Sequence, residues 1–71
     1  MAGKYFWIKE RDNPQLGIYY VAMGRITTRQ AAAYETGTLY VSNIMHKYAT
    51  KKTYEAELER LKARGEKVQG A

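Results

Sequence analysis

Tyr5-Phe6-Trp7-Ile8 is the segment that most limits the folds open to this chain. Aromatic and β-branched residues favour extended backbone, and successive side chains of a strand point to opposite faces. Tyr5 and Trp7 then share one face, Phe6 and Ile8 share the other, and both faces are apolar. Such a strand must lie centrally in its sheet or have its second face covered by a partner. The demand is severe because the chain has only 71 residues, near the lower limit at which one hydrophobic core stabilises a fold. No cysteine is present, so neither a disulfide nor a thiolate metal site substitutes for burial. A single domain over residues 1–71 is expected, stabilised by packing within the chain or against a second subunit.

Arg11-Asp12-Asn13-Pro14-Gln15 reads as a loop, because Asn-Pro disfavours helix at Asn13 and Pro14 presets φ for a turn. After Gly17, Ile18, Tyr20 and Ala22 alternate with Tyr19, Val21 and Met23, which predicts an antiparallel hairpin over the first 23 residues. Thr27 is placed to cap a helix, with Gln30 at the capping-box position, Ile26 at the staple position and Gly37 as the left-handed stop. Thr38 to His46 alternates Leu39, Val41 and Met45 with Tyr40, Ser42 and Ile44, a third-strand pattern. A last helix over 53–64, capped by Thr50 or Thr53, aligns Tyr54, Leu58 and Leu61 and ends at Gly65. Residues 66–71 hold one apolar anchor, Val68, and read as a frayed tail.

The expected fold is a small α+β domain of order β-β-α-β-α, with a three-stranded antiparallel sheet and two helices on one face. The opposite face is then aromatic and available to a partner or to a second copy.

Groups for catalysis are scarce. His46 is the single histidine, with no second His or Cys to share a metal ion, and no Gly-rich phosphate loop is present. Ser42 and His46 fall on the same face of a strand but too far apart to bond. Glu55, Glu57 and Glu59 are interleaved with basic residues and read as a solvated helix face. A non-enzymatic chain that binds no cofactor and no metal is expected.

Twelve Lys and Arg against seven Asp and Glu give a net charge of +5, which favours a polyanionic partner. Met1-Ala2-Gly3-Lys4 leads straight into the first strand without a signal-peptide pattern, and no apolar run approaches the roughly 20 residues that span a bilayer. No association with a membrane is expected.

Thr27-Thr28-Arg29-Gln30-Ala31-Ala32-Ala33-Tyr34-Glu35-Thr36-Gly37 resembles the first helix and turn of a helix-turn-helix of the excisionase family, with Ala33 four residues before the turn glycine. The resemblance implies a recognition helix next. Thr38-Leu39-Tyr40-Val41 is poor helix material, however, and Ile44 falls one place out of register. More broadly, Trp7-Ile8-Lys9-Glu10-Arg11, Asn13-Pro14-Gln15-Leu16-Gly17, Tyr19-Tyr20-Val21-Ala22 and Asn43-Ile44-Met45-His46 resemble small phage- and prophage-encoded proteins. That resemblance implies the cytoplasm of a bacterial host and no assigned activity.

Two readings stay open. In the first, an accessory protein binds a protein partner or a second copy through an aromatic sheet face made of Tyr5, Trp7, Tyr19, Tyr20 and Tyr40. In the second, a small basic module binds DNA or RNA, with Arg25, Arg29, Lys47, Lys51 and Lys52 on phosphates and a helix-turn-helix-like segment over 27–46. The same aromatic set, with Lys4, Lys9, Arg25 and Arg29 nearby, also suits a stacking platform for single-stranded nucleic acid, although aromatics in so small a domain are more often core.

Overall fold

In the computed structural model, which describes residues 3–35 and 42–70, the two-faced segment opens strand β1 (Tyr5–Asn13). β1 lies inside the sheet. It pairs antiparallel with β2 (Gly17–Ile26) on one side and with β3 (Ser42–Tyr48) on the other. A fourth strand, β4 (Lys67–Gln69), runs parallel to β2 and completes the order β3-β1-β2-β4. The sheet is therefore four-stranded and mixed, where three antiparallel strands were expected, and residues 67–69 of the expected frayed tail are its edge.

The helices are α1 (Thr28–Tyr34) and α2 (Lys51–Ala63). They cover opposite faces of the sheet, which corrects the expectation of two helices on one face. Ile8 packs with Tyr54, Leu58 and Leu61 of α2, joined by Phe6, Tyr20, Ala22, Tyr48 and Val68. Trp7 packs with Ala31 of α1 and Met45 of β3, joined by Tyr5, Met23 and Ile26. The physical reason lies in β1 itself: helices on one face would leave either Trp7 or Ile8 in water, and burying a large apolar side chain stabilises by about 1.5–3 kcal/mol. Trp7 is 7% exposed and Ile8 1%.

Local signals shape each element. The Asn13 side-chain oxygen accepts from the N–H groups of Gln15 (2.8 Å) and Leu16 (3.2 Å), an Asx turn that closes the hairpin. Arg11 to Asn13, expected in the loop, belong to β1. In β2, Met23 and Gly24 together oppose Trp7, because the register passes from Ile8–Ala22 to Trp7–Gly24. The extra residue shifts the alternation beyond it, so that Ile26 joins Met23 in the Trp7 cluster.

The α1 capping box forms as its sequence predicts. The Gln30 N–H donates to Thr27 Oγ1 at 3.0 Å, and the Thr27 N–H donates to Gln30 Oε1 at 2.9 Å. The expected stop at Gly37, Tyr40, and the expected strand start at 38–41 lie outside the described residues. α2 is capped by Thr50, whose Oγ1 accepts from the Thr53 N–H at 3.2 Å, so it begins two residues before the expected Thr53. At its end the Gly65 N–H reaches the Lys62 carbonyl and the Glu66 N–H reaches the Leu61 carbonyl, each at 3.0 Å. This is a Schellman arrangement around Gly65 (φ +81°), and it turns the chain into β4.

Candidate functional site

Alternation along the strands sorts charge between the two faces of the sheet. On the α1 face, one row of paired residues crosses all four strands as Asn43, Arg11, Tyr19 and Lys67. The next row is Met45, Lys9, Val21 and Gln69, and beyond it Lys47 pairs with Trp7. The carboxylates are elsewhere. Glu10 and Asp12 alternate to the α2 face, Glu55, Glu57 and Glu59 are on α2, Glu66 is in the turn before β4, and Glu35 follows α1. Among the described residues, no strand position on the α1 face is acidic.

The ion pairs deepen this asymmetry. Lys51 lies 3.7 Å from Glu55, Arg60 2.7 Å from Glu57 and Lys62 3.9 Å from Glu59, so α2 neutralises much of its own charge. Lys9, Arg11, Lys47 and Lys67 make no ion pair among the described residues. Lys9 Nζ instead sits 5.5 Å from the centre of the Tyr34 ring, and Lys47 Nζ 4.7 Å from that of Tyr5. These cation–π contacts orient the ammonium groups without cancelling their charge. Arg11 Nε is enclosed with no hydrogen-bond partner among the described residues.

The expected aromatic contact set does not form one surface. Trp7 is covered by α1, and Tyr5 and Tyr19 are half-buried on the same face. Tyr20 lies on the opposite face, packed into the α2 core, and Tyr40 is outside the described residues. The expected phosphate set also divides. Lys47 lies on the α1 face and Arg29 is exposed on α1, whereas Lys51 and Lys52 occupy the first turn of α2, with Lys51 held by Glu55. Arg25 is exposed near the end of β2, opposite Phe6. The expected recognition helix is contradicted at 42–46, where β3 stands.

Arg11, Lys67 and Tyr34 were not among the residues expected at a site. Arg11 shares its parity with Trp7 and Lys9, so continuing β1 past Glu10 would have found it. Lys67 acquires its place only through β4.

The α2 face carries a cleft of about 200 Å³, lined by Glu10, Tyr20, His46, Tyr48, Glu57 and Arg64 among others. Its carboxylates are engaged: Glu10 bonds His46 Nε2 at 2.9 Å, and Glu57 bonds Arg60 through both oxygens at 2.7 and 2.9 Å. The Arg60 hydrogen bonds hold the Glu57 carboxyl below its ordinary range. Desolvation raises the phenols of Tyr20 and Tyr48 above theirs. His46 is thus tied to Glu10, while Ser42 pairs with Asp12 at the far end of β3. Among the described residues, no three His, Cys, Asp or Glu side chains gather as metal ligands. No helix among them is long and apolar enough to cross a membrane.

No protein-family model, curated protein or solved structure matches the chain. The chemistry of the two sheet faces therefore carries the functional reading.

Proposed function

We propose that the chain is a nucleic-acid-binding module that uses the α1 face of its sheet. The observation that carries this reading is the gathering of Lys9, Arg11, Lys47 and Lys67, none in an ion pair among the described residues, on strand positions free of carboxylates. Cations that are already neutralised gain little from a phosphate, whereas unneutralised ones release condensed counterions when they bind it. A sheet surface thus replaces the groove-entering helix, and of the expected phosphate set Lys47 is kept while Lys9, Arg11 and Lys67 join it.

Fluorescence anisotropy with labelled oligonucleotides over a range of salt tests it. Binding that weakens as salt rises is expected. The double variant Arg11→Gln with Lys67→Gln weakens it strongly, and Lys52→Gln with Lys62→Gln on α2 leaves it nearly unchanged. Absence of binding at low salt, or equal loss from both pairs, would overturn the reading.

A protein-contact reading draws support from a different patch than the aromatic one. Ile18 and Ile44 are each 47% exposed on the α2 face, and Leu16 in the hairpin turn is 61% exposed. Light scattering of the parent and of Ile18→Ser with Ile44→Ser tests this patch; a monomer in both cases would remove self-association as its role.

A further inference from the structure

We infer that the nucleic acid bound on the α1 face is a single strand, with a base stacked on Tyr19 and the neighbouring phosphates held by Arg11 and Lys67. The inference rests on the proposed nucleic-acid reading and goes further by naming the form of the ligand and the residue that receives a base.

The row containing Tyr19 has the required layout. Arg11 is its partner on β1 and Lys67 its partner on β4, so a cation stands on each side of the ring. Adjacent strands are about 4.8 Å apart, which puts the backbones of Arg11 and Lys67 about 10 Å from each other with the ring between them. Base faces stack on aromatic rings irrespective of sequence, while flanking cations follow the backbone.

Among the described residues, the Tyr19 ring makes no aromatic or cation–π contact. Phe6 and Tyr48 each pack against Tyr54 on the α2 face, Tyr5 carries Lys47 and Tyr34 carries Lys9. Tyr19 enters none of these contacts, and it is half-buried, so its ring is held in place while part of it meets solvent.

Duplex binding fits the same surface poorly. A major groove is about 12 Å wide and admits one helix or a two-stranded ribbon. Three inter-strand spacings make this sheet about 14 Å across, too wide to enter. α1 has 7 residues and lies against the sheet through Ala31, so it is not presented to a groove either. The contacts involve phosphates and base faces, which RNA and DNA share, so the surface treats the two sugars alike.

The test compares the full chain with labelled oligo-dT, oligo-rU and a GC duplex by anisotropy, with poly-glutamate as competitor. Both single strands are expected to bind within a fewfold of each other and about tenfold more tightly than the duplex. Tyr19→Ala is expected to lose about tenfold on single strands, the loss of roughly one base stack. Tyr19→Phe keeps the ring and stays within about twofold of the parent. Tyr19→Trp, which also keeps a ring, adds emission that oligo-dT quenches, over and above any change in Trp7 of the parent. Duplex affinity equal to that of single strands, or a Tyr19→Trp variant that binds oligo-dT without added quenching, would overturn this inference and leave the nucleic-acid reading standing. Failure of every oligonucleotide to bind, or equal competition by poly-glutamate, would overturn both.

Discussion

The backbone N–H of Gly24 donates a hydrogen bond of 3.0 Å to the Tyr54 hydroxyl, tying α2 to the bulge in β2. A bulge interrupts the ladder, and the hydroxyl supplies an acceptor at that interruption. Tyr54 is 8% exposed, with its ring 5.2 Å from that of Phe6, so Tyr54→Phe retains the packing and deletes only the acceptor. The expected cost is about 1–2 kcal/mol, because a donor is left unsatisfied in a partly buried place. Urea unfolding checks this through a lower midpoint at unchanged m; an unchanged midpoint would mean that water replaces the hydroxyl without loss.

Gly24 has a second reason to be glycine. Its φ is +72°, yet an added Cβ would meet nothing within 4 Å, so substitution there is opposed by backbone conformation and not by crowding. Gly24→Ala is expected to cost about 1–2 kcal/mol, and Gly24→Asn less, since Asn tolerates the left-handed region better. Thermal melts of the two variants give the order; a more stable Ala variant would contradict it.

Much of this fold was legible because its signals are local. The hairpin, the Thr27–Gln30 box and the Tyr54–Leu58–Leu61 stripe each depend on residues close in sequence, and each forms. The placement of the helices depends on which side of β1 each reaches, and apolar residues on both sides of that strand are compatible with cover from one helix per face or from a partner. β4 was illegible for a related reason. Three residues with a single half-buried valine carry no period, and their partner β2 is separated from them by α1, β3 and α2. Of the candidate site, Tyr19, Lys9 and Lys47 were visible as residues, but the row that sets Tyr19 between two cations was not, because Arg11 looked like loop and Lys67 like tail.

Val68 measures what β4 contributes. It packs against the α2 cluster while pairing opposite Tyr20. Val68→Ala is expected to cost about 1 kcal/mol, roughly half the value of a fully buried valine. Hydrogen exchange of the β2 amides from Tyr19 to Val21 should quicken more than that of the β1 amides paired with β3. Uniform quickening would show that β4 unfolds only with the whole domain.

Stability should fall at both ends of the pH range. Arg60 holds the Glu57 carboxyl below its ordinary value, so folding takes up stability above the unfolded carboxylate pKa of about 4.3 and loses it as pH falls through the lower folded value. Desolvation holds the Tyr20 and Tyr48 phenols above 10.0, so their contribution is complete below that pH and is lost as pH rises through the folded values. Urea midpoints against pH should show a plateau between these limbs. Glu57→Gln should flatten the acid limb alone, and Tyr48→Phe should reduce the alkaline one; an acid limb unchanged by Glu57→Gln would assign it to other carboxylates.

The charge asymmetry of the two faces makes a prediction about salt as well as affinity. Each phosphate contact on a single strand contributes about 0.7 to the slope of log K against log salt. Arg11, unpaired among the described residues and beside Tyr19, should lower that slope by about this amount when replaced by Gln. Lys52 is equally a cation and fully on the surface, but it stands on α2, across the sheet from the row. Lys52→Gln should shift affinity slightly through the overall field and leave the slope unchanged, because it gives up no phosphate. Net charge falls by the same amount in the two variants, so a difference in slope isolates position from charge. Equal slopes would mean that the polyanion is gathered by the whole surface and not by the α1 face.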